Sequence, residues 1–168
     1  MFIRRVVRYF IPLVFRLIPT LRLNSVKTFL LNLAGHKVGK RVVIASTVLI
    51  KGNFNAHIGD ATFIGHETMI LGGTSDIYIG ANCDTSSRVN LVMGSHEIDS
   101  KNLRSAGKGV SKSIIIEDGV WIGFGVIILP GVKIGKKAII GAGSVVTKDI
   151  PANSVAVGNP CKVIKHLG

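Results

Sequence analysis

His96 is the histidine whose surroundings set it apart. It belongs to Gly94-Ser-His-Glu-Ile-Asp99, at the head of a polar stretch, residues 94–113, that interrupts an otherwise regular chain. Imidazole titrates near neutral pH, so a loop histidine is suited to taking a proton from a hydroxyl as that hydroxyl attacks a carbonyl. Such a base works from one tautomer, which Glu97, Asp99 or a backbone carbonyl could fix. His36 and His57 stand in connecting segments and His166 in the tail, none with site-like neighbours. His66, in Ile64-Gly-His-Glu-Thr-Met69, falls at a turn. Cys83 sits at a small inward position and Cys161 in a closing segment, so both read as structural and neither as a nucleophile. Two cysteines in 168 residues exclude a disulfide framework and fit reduced thiols in the cytoplasm.

These residues are positioned by a repeat of six. From Ile116 a branched aliphatic recurs without a break at Ile122, Ile128, Ile134, Ile140 and Val146. Four places after these come smaller or β-branched residues, Val120, Val126, Val132, Ala138 and Ser144, with Ile150 the largest. Upstream the template fits in pieces: Val38, Ile44, Ile50; Ile58, Ile64, Ile70; and Ile79, Thr85, Leu91. A six-residue unit with one inward aliphatic cannot bury anything alone and must stack on its copies. The expected fold is therefore an all-β solenoid, a parallel β-helix around a triangular axis. Residues 94–113 carry no hexad and must leave the coil as a loop, and a long loop in a regular solenoid is usually functional. Trp121 follows inward Val120, so it points outward, to a subunit interface or a pocket wall.

Charge divides the chain. The formal charge of +12 (pI near 10.2) splits as +6 in residues 1–34, which have no acid and no glycine, and +6 in residues 35–168, which hold every acid and every glycine. The sequence thus reads as an N-terminal helical arm, 1–34, and a repeat domain, 35–168. In the arm, Phe2, Ile3, Val6, Val7, Phe10, Leu13, Val14, Leu17 and Ile18 define one helix face with Arg4, Arg5 and Arg8 off it, and Pro12 is expected to bend or restart the helix. A second helix is expected with Asn24 or Ser25 as N-cap and Val26, Phe29, Leu30 and Leu33 inward. Arg16 and Pro12 interrupt any run long enough to cross a membrane, and no cleavage site of the signal-peptide type follows. The arm either packs on its own domain or a neighbouring subunit, where it could cap the exposed end of the solenoid, or rests on anionic lipid. A composition 47% apolar and 18% charged excludes a disordered chain. With 6% aromatic residues and no helix-turn-helix pattern, no nucleic-acid partner is expected.

Four blocks carry a resemblance: Asp118-Gly-Val-Trp-Ile-Gly123, Leu129-Pro-Gly-Val-Lys-Ile-Gly135, Ile140-Gly-Ala-Gly-Ser-Val-Val-Thr-Lys-Asp-Ile-Pro151 and Gly158-Asn-Pro-Cys-Lys-Val-Ile164. The chain from about Val38 to Ile164 resembles the hexapeptide-repeat acyltransferases, within them the galactoside, maltose and xenobiotic O-acetyltransferase branch. The resemblance implies a left-handed β-helix, a homotrimer with sites between subunits, and acetyl-CoA as acyl donor. It implies that His96, in a Gly-x-His loop ahead of the first block, is the general base. His66, Glu97 and Trp121 would border the acceptor. Gly123, Ala142 and Thr147 would line the donor's thiol arm, with Lys148, Lys162 and Lys165 at its phosphates. Phe124 departs from the small residue usual there and bears on groove shape. The function so implied is acetyl transfer to a hydroxyl of a sugar or glycan precursor, with serine or an antibiotic as alternative acceptors. The two cysteines point to a cytoplasmic protein, and the basic arm adds the inner face of the cytoplasmic membrane as an alternative location. A metal hydratase on the same fold would need three converging histidines. The residue five after His96 is Lys101, so no metal is expected.

Overall fold

The structure is a computed structural model that describes residues 2–168, with side chains from residue 6 onward. Short strands follow one another around a three-sided prism. The first face stacks Lys37–Val38, Ala56–Ile58, Ile77–Ile79, Ile114–Ile116 and Lys133–Ile134. The second stacks Val43–Ile44, Phe63–Ile64, Asp84–Thr85, Trp121–Ile122, Ile139–Ile140 and Ser154–Val157, and the third Leu49–Lys51, Met69–Leu71, Asn90–Val92, Ile127–Ile128 and Val145–Val146. All these pairings are parallel and in hexad register, so Ile58 lies over Ile79, Ile79 over Ile116 and Ile116 over Ile134. The strand Lys162–His166 turns back antiparallel and closes the second face. The fold is the parallel β-helix that the repeat predicts.

The aliphatics of the repeat are the core. Ile116, Ile122, Ile128, Ile134, Ile140 and Val146 are each at most 1% exposed, and Val120, Val126, Val132 and Ala138 are buried beside them. Corners are tight: a Cβ on Gly123 would stand 2.6 Å from the Ala142 amide nitrogen of the next coil, so only glycine lets the two coils approach there. The two register jumps, between Ile50 and Ile58 and between Ile70 and Ile79, fall where the chain passes from the third face to the first. Thr85 stands at an aliphatic position. Its Oγ1 is buried without a hydrogen-bond partner among the described residues. Removing an unsatisfied hydroxyl while keeping the branched shape should help, so Thr85→Val is expected to raise unfolding stability by about 1 kcal/mol, measurable by urea titration.

The arm closes the N-terminal end. Helix α1 spans Phe2–Leu17 and runs unbroken through Pro12, and α2 spans Asn24–Leu33. Ile11, Phe15, Leu31 and Ala34 are continuous with the solenoid core. The end coil exposes strand edges whose amides and carbonyls have no neighbouring strand, and α2 supplies the partners. The Asn32 side chain accepts from the Val38 N–H at 2.8 Å and donates to its carbonyl at 3.2 Å. Asn24 Oδ1 accepts from the Ile44 N–H, and Lys27 Nζ donates to the Ile44 and Thr20 carbonyls.

This capping corrects three expectations. The residue ahead of α2 is Leu23, in the left-handed region (φ 50°) with no side-chain cap, because Asn24 is turned toward Ile44. The inward residues of α2 are Lys27, Leu30 and Leu31, while Val26, Phe29 and Leu33 face solvent. On α1 the inward residues are Val7, Ile11 and Phe15, and Val6, Phe10, Leu13 and Leu17 lie outward. Phe2, Ile3, Arg4 and Arg5 fall outside the described side chains. No helix of the described residues is long and apolar enough to cross a membrane.

Candidate active site

The polar stretch after the third coil is a β-hairpin rather than an irregular loop. Gly94–Ile98 pairs antiparallel with Ala106–Ser111, and the register slips between His96 and Ile98. The hairpin springs from the corner between the third and first faces, and the chain rejoins the coil where the Lys112 N–H donates to the Met93 carbonyl at 2.9 Å. Ser111 pins its base: Ser111 Oγ accepts from the Ser75 N–H at 3.1 Å, and a Cβ on Gly73 would lie 3.0 Å from Ser111 Cβ.

His96 sits near the root of this hairpin, opposite Gly109. Its Nδ1 lies 2.9 Å from the Gly107 carbonyl oxygen. A carbonyl only accepts, so Nδ1 carries the proton and the lone pair is on Nε2, the form a general base needs. Of the three orienting groups open to the sequence, the backbone carbonyl is the one in place. Asp99 serves the hairpin turn instead. Hydrogen bonds from the Asn102 side chain, and from the Lys101 and Asn102 N–H groups, hold its carboxyl below the usual range. Glu97 is exposed at the register slip and does not border the cavity described next.

A cavity of about 480 Å³ opens at the hairpin root, lined by Leu71, Gly72, Gly73, Thr74, Val92, Gly94, Ser95, His96, Gly109, Val110 and Ser111. The lining combines four glycines and three hydroxyl residues, Thr74, Ser95 and Ser111, with the aliphatic Leu71, Val92 and Val110, the mix of apolar surface and a few polar groups that suits a small acceptor. The sequence reading missed Gly72, Gly73 and Thr74. Their signal was the register jump between Ile70 and Ile79, which brings extra residues to the same corner that carries the hairpin.

The remaining predicted residues divide between corners. Thr147 and Lys148 lie at the third-to-first corner, two coils beyond the hairpin root, with Gly131 and the overlying Lys112 between. Gly123, Phe124 and Ala142 lie at the second-to-third corner, as does His66, whose carbonyl accepts from the Arg88 N–H. There the Arg88 guanidinium stands over the Phe124 ring at 5.8 Å and is bonded to Glu67 at 2.7 Å, so Phe124 forms an exposed wall. Trp121 is half-exposed on the second face, paired with Asp84 and Ile139. Lys162 and Lys165 are in the returning strand opposite Val157 and Val155. Within one chain, therefore, His96 is brought together with Thr147 and Lys148 along one edge, but not with His66, Trp121, Gly123, Phe124 or Ala142. Cys83 is buried, and burial pushes its thiol up, consistent with a core role. Among the described residues no three His, Cys, Asp or Glu side chains lie close enough to hold a metal ion.

A three-faced solenoid with one hairpin carrying a histidine at its root defines the hexapeptide-repeat class, and comparison with known proteins agrees. A family model described as bacterial transferase hexapeptide (six repeats) matches residues 113–148. The chain is 43% identical over 116 residues to the galactoside O-acetyltransferase of Lactococcus lactis, an alignment covering 69% of this chain and 55% of that protein, so it spans little more than half the relative's length. A maltose O-acetyltransferase from Clostridium difficile superimposes with a TM-score of 0.76 at 34% identity, covering 99% of this chain and 87% of that one. The polySia specific acetyltransferase NeuO superimposes with a TM-score of 0.56 at 33% identity, over 71% of this chain and 58% of that one. The chain belongs to the hexapeptide-repeat acetyltransferase family, with its left-handed β-helix.

Proposed function

We propose that the protein transfers an acetyl group from acetyl-CoA to a hydroxyl of a sugar or glycan precursor. The observation that carries this reading is the 2.9 Å contact of His96 Nδ1 with the Gly107 carbonyl oxygen, which leaves Nε2 free as a base beside a cavity that Thr74, Ser95 and Ser111 help to line. In the reaction Nε2 takes the acceptor hydroxyl's proton as the oxygen attacks the thioester carbonyl. The tetrahedral oxyanion collapses, the acetyl–oxygen bond is kept, and the CoA thiolate leaves and regains the proton. Transfer is direct, within a ternary complex, since both thiols are placed as core or closing residues. Galactoside and maltose as the acceptors named for relatives, and polySia for a third, support a carbohydrate over serine or an antibiotic.

The donor residues lie at two corners of one solenoid, and the reading that unites them is a trimer. The edge of one subunit carrying His96, Thr147 and Lys148 would face the corner of its neighbour carrying Phe124 and Ala142, with Trp121 beside it. A monomer in light scattering would overturn that arrangement. The unpaired thiols Cys83 and Cys161 favour a cytoplasmic setting. The deciding experiment measures thiol release from acetyl-CoA over a panel of sugars, nucleotide sugars, serine and aminoglycosides. Carbohydrate-dependent release is expected, and release only with serine or aminoglycosides would remove the sugar reading. In the same assay Lys148→Ala and Lys162→Ala are expected to raise the KM for acetyl-CoA several-fold with kcat little changed, as loss of contacts to phosphates alone requires.

A further inference from the structure

The arm is apolar on two sides, and the solenoid covers one. On α1, Ile11 and Phe15 are buried, whereas Tyr9, Phe10, Leu13 and Leu17 are 80%, 50%, 58% and 81% exposed along the opposite stripe. On α2 the outward Phe29 and Leu33 are 65% and 49% exposed. Large apolar side chains recurring on adjacent helices make a patch that needs an occupant.

Charge says what the occupant is. The first acid of the sequence is Asp60, so residues 1–59 hold ten of the 21 cations and no Asp or Glu, while residues 60–168 hold the other eleven with nine acids. The net charge is thus +10 before Asp60 and +2 after it. Arg16 on α1 and Arg22 in the turn that follows it are both exposed. A cavity of about 470 Å³ next to Tyr9 is lined by the cations Arg8 and Lys51 and by no acidic side chain. A two-fold contact through this face would set the arginines of the arm, which has no acid of its own, against their own copies, like charge on like. An apolar stripe on an arginine-bearing arm fits instead the boundary between anionic headgroups and acyl chains.

We propose that the outward face of the arm docks on an anionic lipid bilayer, with Phe10, Leu13 and Leu17 entering the acyl boundary and Arg16 and Arg22 at the lipid phosphates. The docking goes beyond acetyl transfer and stands whether or not that reading holds.

The test is co-sedimentation of the full chain with phosphatidylglycerol–phosphatidylcholine vesicles and with pure phosphatidylcholine vesicles, beside light scattering of the same samples. Wild type is expected to sediment with the anionic vesicles and to be released by salt. Leu13→Ser with Leu17→Ser is expected to weaken partitioning at least about tenfold, and Arg16→Gln with Arg22→Gln by about fivefold per cation. All four positions are exposed, so circular dichroism melts should match wild type, and Phe29→Ser provides an independent apolar variant on α2. Equal binding to both vesicle types, or none to either, would overturn the proposal. So would variants that leave vesicle binding intact but dissociate an oligomer, which would assign the face to a second copy.

Discussion

His96→Ala is expected to lower kcat for acetyl transfer by about 10²–10⁴-fold, the range for losing a general base, while acetyl-CoA binding persists. The split follows from geometry. His96 borders the cavity at the hairpin root, and the lysines proposed for the donor phosphates do not line it: Lys148 lies two coils further along the same edge and Lys162 on the returning strand. The substitution leaves Gly107 with an exposed carbonyl that water can satisfy, so stability should be nearly unchanged. His96→Gln separates position from proton transfer: its amide can reach the same carbonyl but cannot serve as the base, and turnover should stay low. Undiminished turnover in His96→Ala, with acetyl-CoA and the best acceptor of the panel, would remove the role.

The hexad made the solenoid legible because one inward aliphatic every six residues has no other compact solution, and Ile116 to Val146 all reach the core. The hairpin was legible as an interruption but not as a hairpin, since Gly94–Ile98 and Ala106–Ser111 are polar on both sides and pair above the coil without a buried face to pattern them. The inward faces of the arm were misread for a related reason. Hydrophobic periodicity selects the greasiest side of a helix, yet the end coil is narrow and presents strand carbonyls and amides as well as aliphatics. Lys27 and Asn24 therefore turn inward to serve Ile44, and Phe29 and Leu33 are left outside. The separation of His96 from Trp121 follows from counting hexads around three faces: His96 leaves after Leu91 on the third face, and Trp121 precedes Ile122 on the second.

The second large effect concerns acid. His36 joins α2 to the first coil, is 6% exposed, and accepts the Ala56 N–H on Nδ1 at 3.0 Å. Burial pushes its imidazole down from 6.5 to about 4; the Arg8 cation and His57 add to the shift and Asp76 opposes it. The ring is thus neutral in the fold, whereas in the unfolded chain it takes up a proton below 6.5. Its contribution is fully present above that pH and is lost as pH falls from 6.5 toward about 4, because the unfolded state binds the extra proton first. The gap corresponds to about 3 kcal/mol. Asp76 acts later: burial would raise its carboxyl, but hydrogen bonds from the Asn55 N–H, from His57 and from the Asn55 side chain outweigh that and lower it, so its loss falls at still lower pH. Urea unfolding at one protein concentration is expected to show stability dropping by that amount between pH 7.5 and 4. His36→Gln, which keeps an acceptor for Ala56 without a titrating ring, should flatten the slope. His36→Phe should instead cost stability at every pH by leaving the buried Ala56 N–H unpaired. A wild-type stability that is level across this range would show that His36 does not govern stability in acid.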